Sequence, residues 1–270
     1  MSMTKQVQDR FVAALKSIRP VIEAQKARDV SEADTVTLVK DVLSDVLGYD
    51  KYADLTSEYA IRGTYCDIAI RVESKVWCLV EVKSAGTSLD DKHVKQAIDY
   101  AANNGVEWCA LTNGWEWRLY HVIFAKPIDK QLVVHLDLQQ LNAKSEDDLL
   151  RLFTLSKEGF AKGAHCEARD RINATSRHLL AALIVSNDDV IQILRRELRR
   201  IVDVKVEVEH IIPVLEHQVI KRDCLDGPEA QAALAKVRRG GKPLRAVIAK
   251  PNGGGVGESD SGDPGSASGS

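Results

Sequence analysis

Two runs of alternating residues constrain this chain more than anything else in it. Ile68, Ile70 and Val72 alternate with Asp67, Ala69 and Arg71; Val76, Cys78, Val80 and Val82 alternate with Trp77, Leu79, Glu81 and Lys83. A period of two over both runs predicts strands, and the polar Glu73-Ser74-Lys75 between them predicts a hairpin. Bringing the aliphatic faces together requires a three-residue turn, with Val72 opposite Val76, Ile70 opposite Cys78 and Ile68 opposite Val80. The same register sets Asp67 across from Glu81, and a slip of one residue turns one strand's aliphatic set to the other face. Lys83, two residues beyond Glu81, projects on that same face.

Two carboxylates and one ammonium on one patch have a chemical use. Adjacent carboxylates repel unless a cation sits between them. Magnesium suits such a pair, because it takes hard oxygen ligands and commonly binds through one or two carboxylates plus a substrate phosphate. Lys83 is then placed to orient a metal-activated water or to stabilise a charged transition state. The competing reading is a charged solvent face of an antiparallel hairpin, which is common.

Three flanking features weigh against that reading. A helix after the hairpin, capped by Ser88 with Asp91 three residues on, carries Val94, Ala97, Ile98, Ala101 and Ala102 as its apolar stripe. Gln96 and Tyr100 lie one turn apart on its flank. A helix before the hairpin is capped by Ser31, with Asp34 as cap chemistry and Val36, Val39, Leu43, Val46 and Leu47 as the buried stripe. Glu32, one turn before Val36, continues the inward stripe toward the sheet, although an acid in a first helical turn also suits the macrodipole. Finally, Asn113-Gly114 between two alternating runs is the strongest short hairpin signal.

In this order and spacing, Asp67, Glu81-Val-Lys83 and Gln96-x-x-x-Tyr100 resemble the PD-(D/E)xK nuclease superfamily. With Leu47-Gly48-Tyr49-Asp50 and Thr112-Asn-Gly-Trp115, residues 31 to 122 resemble the N-terminal nuclease domain of type I restriction R subunits, including stand-alone relatives. The resemblance implies an α/β restriction-endonuclease-like core, a mixed central sheet flanked by helices, followed by a small helical domain. It implies a Mg²⁺- or Mn²⁺-dependent endonuclease acting on DNA in restriction or phage defence, with other defence subunits as further partners. Asp67, Glu81 and Glu32 would be metal ligands, Lys83 catalytic, Gln96 a supporting residue, and Tyr100 a support or substrate contact. Cys66 stands where the superfamily loosely keeps a proline. The rivals are a non-cleaving module that binds nucleic acid or a partner on the same fold, and a nuclease subunit of a larger complex.

The remaining chain adds boundaries. Val7, Phe11, Leu15, Ile18 and Ile22 predict a helix over 4–28 that Pro20 should kink or split. Strands are expected at 55–61, 107–113, 115–122 and 131–136, with Glu58 as a runner-up acid and Trp115 and Trp117 as sheet-covering aromatics. Near 141 strands give way to helices, giving a nuclease-like domain over 1–140, a helical domain over 141–248 and a disordered Gly- and Ser-rich tail over 249–270. Helices are expected at 146–155 and 168–185, with a third capped by Ser186. Between residues 190 and 250 there are 13 Lys and Arg against 8 Asp and Glu, in a chain of net charge −2. Arg195, Arg196, Arg199 and Arg200 read equally as a phosphate-contacting arm and as a solvated face. Five cysteines show no metal or disulfide spacing, and no signal peptide or spanning segment is present, which fits a cytoplasmic protein with no membrane contact. Gly240-Gly241-Lys242 is followed by Pro243, so no ATP-binding P-loop is expected.

Overall fold

The computed structural model describes residues 3–28, 30–61, 64–72 and 75–240; for 58–61, 64 and 65 it describes the backbone only. The expected hairpin turn at Glu73 and Ser74, the Glu58 side chain and the tail lie outside the described residues or side chains. Two compact units divide at Ser176 and Arg177.

The first unit is built on six strands in sequential order: β1 (Leu55–Ile61), β2 (Thr64–Val72), β3 (Lys75–Val82), β4 (Trp108–Thr112), β5 (Glu116–Ile123) and β6 (Asp129–Asp137). All neighbours are antiparallel except β3 and β4, which α3 (Asp91–Asn103) joins by a parallel crossover. The sheet is therefore mixed, as expected. Ile68 opposes Val80 and Ile70 opposes Cys78, so the aliphatic pattern sets the register. Nearer the turn a bulge after Ile70 shifts it, and Arg71 opposes Val76 while Val72 opposes Lys75. A bulge puts one extra residue on one strand, which is why the three-residue spacing does not hold to the end.

Both faces of the sheet are covered. On one, Ile68, Ile70, Cys78, Val80 and Val82 pack with Phe11, Leu15 and Ile22 of α1 (Lys5–Ala27) and with Leu38, Val39 and Leu43. α1 runs unbroken through Pro20. α2 (Glu32–Asp41) is capped by Ser31 as expected and continues into a π-helical turn, Val42–Val46. Four of the five expected stripe residues, Val39, Leu43, Val46 and Leu47, are buried; Val36 is half-buried, and Thr35 and Leu38 face inward beside them. On the other face, α3 packs Val94, Ala97, Ile98 and Ala101 against Ala69, Leu79 and Leu111. Its cap is Asp90, not Ser88; the Asp90 carboxylate accepts from the Lys92 and His93 amides at 2.9 and 3.0 Å. Leu89 and Val94, the residues before the cap and one turn after it, share one cluster and fix the entry angle as a hydrophobic staple.

The change from strands to helices comes near 141, but the compact unit extends to Ser176. The reason lies in α4 (Glu146–Leu155) and α5 (Lys157–Ala161). Leu149, Leu152, Phe153 and Phe160 join the core on the α1 side of the sheet. Arg10 of α1 also grips Glu158 of α5 with both guanidinium nitrogens, at 2.6 and 2.8 Å. The helix expected over 168–185 is two, α6 (Ala164–Ala174) and α7 (Arg177–Ser186). Thr175 ends the first by turning its hydroxyl back onto the Arg171 carbonyl at 3.0 Å.

The second unit holds α7, α8 (Asp188–Val202), α9 (Val208–Val214) and α10 (Pro228–Gly240). α7 packs on α10 through Ala182, Ala233 and Val237. Asn187, not Ser186, caps α8, accepting from the Val190 amide at 3.2 Å; Ser186 is still part of α7, where its hydroxyl donates to the Ala182 carbonyl. No helix among the described residues is long and apolar enough to cross a membrane.

Candidate active site

Glu81 sits two residues past Leu79 on β3, on the face that α3 covers, and is paired to β4 through Leu111. It is 4% exposed, and Lys83 is 9% exposed. A solvated hairpin face would leave both open to water, so that reading of the triplet is excluded. Buried charges need partners, and these have them: Lys83 Nζ lies 2.7 Å from Glu81 Oε1 and 3.7 Å from Glu32 Oε2. Glu32, at the first turn of α2 and half exposed, thus reaches the strand end as its position on the helix suggested.

Asp67 arrives differently. The β2–β3 ladder ends with Ile68 and Val80, and the Asp67 carboxylate then accepts from the Val82 amide at 2.7 Å. A side chain here takes the place of a ladder carbonyl, which fixes its position at the edge of the pair. The alternation slips at the same point, since Cys66 packs in the cluster of Ala69 and Leu79.

The electrostatics follow from crowding. Burial pushes the Asp67 carboxyl above the usual range, the Val82 amide offsets part of this, and the Glu32 charge adds to the rise. Burial likewise raises Glu81, against the pull of its Lys83 hydrogen bond and with the Asp67 and Glu32 charges. For Lys83 burial acts downward, but the Glu81 hydrogen bond and the charges of Glu81, Glu32 and Asp67 together lift it above its ordinary value. Three acids and one base share the site, so it is short of positive charge.

Among the described residues no group of three or more His, Cys, Asp or Glu side chains is close enough together to hold a metal. Lys83, between Glu81 and Glu32, occupies the middle of the set. A hard divalent cation that keeps waters needs only one or two carboxylates, and Asp67 with Glu81 meets that requirement; Glu32 is held by Lys83 instead.

The segment after Lys83 is pinned from three sides. The Lys83 amide donates to the Thr112 carbonyl at 2.8 Å, and the Ala85 amide donates to Thr35 Oγ1 of α2 at 3.1 Å. Trp115 Nε1 donates to the Ala85 carbonyl at 3.0 Å, and Asn113 Nδ2 to the Thr87 carbonyl at 2.8 Å. Gly114, at φ +93°, lets the hairpin turn close on Leu38, whose Cδ2 would lie 2.8 Å from any Cβ there. Thr35, fully buried, was not singled out in the sequence. Its signal was a hydroxyl one turn after Glu32, interrupting an aliphatic stripe.

Residues 38–133 match the type I restriction enzyme R protein N-terminus family. No curated protein and no solved structure matches the chain. The matched span runs from α2 to β6 and includes Asp67, Glu81, Lys83, Gln96 and Tyr100, and the resemblance to type I restriction R subunits holds over it. Glu32 lies before it.

Gln96 and Tyr100 sit on α3, the helix covering the face from which Glu81 projects. Gln96 is exposed, and among the described residues no hydrogen bond joins either side chain to the carboxylates. Tyr100 is half-buried against the α3-side core. Trp117 is buried, and Trp115 is anchored to Ala85, in keeping with their reading as aromatics that cover the sheet. A second charged group, Glu116 with Arg118 Nη2 at 2.6 Å and His135 at 3.0 Å, closes on itself across β5 and β6.

Proposed function

We propose that this protein is a metal-dependent deoxyribonuclease that hydrolyses DNA phosphodiester bonds in restriction or phage defence. The observation that carries the proposal is the burial of Glu81 and Lys83 beside Asp67. Holding two carboxylates together out of water is costly, and a protein using this face only to bind a partner gains nothing from it. The family matched by residues 38–133 supports the same reading.

Asp67 and Glu81 would hold the cation, Mg²⁺ or Mn²⁺. When bound, it would supply charge neutralisation at a phosphate oxygen and lower the pKa of a coordinated water. Lys83 then has a cationic head already fixed by Glu81, ready to donate a hydrogen bond to the attacking water or to the charge developing on phosphorus, without reorganisation during the step. Asp67 is oriented through the Val82 amide and Glu81 through Lys83. Glu32 assists from α2 by holding Lys83, which departs from the ligand role that the resemblance implies for it. Gln96, exposed on α3, and Tyr100, half-buried one turn on, would contact a nucleic-acid strand.

Plasmid incubated with the full chain and Mg²⁺ or Mn²⁺ tests this directly. Wild type should nick or linearise it, and Asp67→Ala should not. Calorimetry gives a second readout: metal binding to wild type that Glu81→Ala weakens strongly. Metal binding and DNA binding with no cleavage would return the protein to the class of non-cleaving modules.

A further inference from the structure

The second unit contains a small pocket of about 190 Å³ lined by Gln192, Arg195, Arg196, Arg199, Lys205 and Val206. The first four are spaced i, i+3, i+4 and i+7 along α8, which puts them on one face. α8 then ends at Asp203, in the left-handed region at φ 53°. Lys205, two residues on, also lines the pocket. Arg195, Arg196, Arg199 and Lys205 therefore line one space.

Their carboxylate partners are too few. Glu207 serves both Lys205, at 2.9 Å, and Arg195, at 3.9 Å. Glu197 serves Arg200, at 2.7 Å, and reaches Arg196 only at 3.6 Å. Arg199 has no carboxylate partner among the described residues. The negative end of the α8 dipole favours cations in the last turn and accounts for Arg199 and Arg200, but not for Arg195, Arg196 or Lys205.

We propose that this pocket is a phosphate site for a nucleic-acid backbone, with Arg199 and Arg196 as the principal donors to one phosphodiester group. Guanidinium forks match phosphate geometry with two parallel hydrogen bonds. The choice of nucleic acid over a free phosphate rests on the nuclease reading of the first unit. The phosphate chemistry itself does not.

The test is duplex binding by the full chain, measured by fluorescence anisotropy in EDTA so that no cleavage occurs, over a series of salt concentrations. Arg195→Gln/Arg196→Gln/Arg199→Gln should weaken binding by about tenfold or more. It should also flatten the slope of log affinity against log salt by roughly one for each phosphate the variant no longer neutralises. Circular dichroism should be unchanged. Should the triple variant lose helicity, Arg199→Glu alone carries the test, since its side chain is exposed. Failure of the cleavage reading would leave these binding results standing, so the two proposals fail separately. Unchanged affinity and slope in the arginine variants would overturn the site. Binding of inorganic phosphate at the pocket, with duplex affinity insensitive to all three arginines, would overturn the nucleic-acid assignment.

Discussion

In the sheet unit, Glu81 and Lys83 are less than 10% exposed at the end of a strand whose Val82 is wholly buried. In the helical unit, the charged groups stand in water and much of the apolar surface does too: Ile201 is 71% exposed and Val204 is 58% exposed. The first unit buries Glu81 and Lys83 among core side chains, and the segment after Lys83 is pinned by Thr35, Asn113 and Trp115. The second displays its charges on an amphipathic helix with only Ile191 of α8 buried. Preorganised chemistry needs the former arrangement, because an ammonium and carboxylates hold their geometry only where side-chain freedom is already gone. Reading a flexible polyanion needs the latter.

The largest effect should come from matched substitutions. Val82→Asp places an unpaired charge in the core beneath the site and should cost more than about 4 kcal/mol, whereas Ile201→Asp should stay within about 0.5 kcal/mol. All four tryptophans, at 77, 108, 115 and 117, lie in the sheet unit. Urea titration followed by their fluorescence therefore reports Val82→Asp, and circular dichroism reports Ile201→Asp. Equal costs would break the contrast.

Next in size is Lys83→Ala, which should slow single-turnover cleavage by about 10²–10³. Its burial changes what the sequence alone suggests about stability. A strand-end lysine on a polar face would be removable without harm, but this one is the cation bonded to the buried Glu81. Its loss should lower the melting temperature in EDTA, with recovery on adding Mg²⁺. A rate equal to wild type would remove Lys83 from the chemical step.

How much of this was legible beforehand follows from range. Strand positions, the register at Ile68 and Ile70, and the Ser31 cap depend on neighbours within a few residues, and the sequence shows those. The Asp90 cap was missed because the staple of Leu89 and Val94 decides it through the core. The unit boundary at Ser176 depends on Arg10 meeting Glu158, 148 positions away. Period two puts Glu81 and Lys83 on one strand face, but Asp67 lies where the alternation slips and is positioned by the Val82 amide. That Lys83, and not open space, lies between Glu81 and Glu32 depends on how α2 meets β3, which Thr35 and Ala85 settle.

Acid should expose a different buried group of the sheet unit. His165 is 8% exposed, stacked on Phe160 with ring centroids 4.1 Å apart and set edge-on to Trp108. Burial, with the Arg169 charge and His121 beside it, pushes its pKa down to about 4. Between that value and the ordinary 6.5 the unfolded chain binds a proton that the folded one refuses. Stability is thus lost as pH falls from about 6.5 toward 4, on the order of 1–3 kcal/mol. Tryptophan-monitored urea midpoints should fall across this window, and His165→Phe should flatten the fall. An unchanged acid limb in that variant would assign the loss to other groups.

The smallest effect sharpens the comparison most, because it asks whether the sheet unit gives up stability to keep its charges. Asp67 and Glu81 both sit above their ordinary pKa, with burial the main cause in each. A carboxyl raised in the folded state binds its proton more tightly there than in the unfolded chain. Its contribution therefore declines as pH climbs through the carboxylate range, and at neutral pH without metal it is a net cost. Asp67→Asn keeps an oxygen to accept from the Val82 amide while removing the charge. It should raise the melting temperature in EDTA by roughly 2–4 °C, about what 1 kcal/mol produces in a unit of this size. The gain should shrink or reverse with millimolar Mg²⁺, which stabilises wild type through binding and has little hold on the variant. The helical unit predicts the opposite pattern, since Arg199→Gln removes a charge already in water and should leave the melting temperature unchanged with or without metal. A lower melting temperature for Asp67→Asn in EDTA would mean that the carboxylate stabilises the strand end on its own, and the site would then have a structural reason to exist.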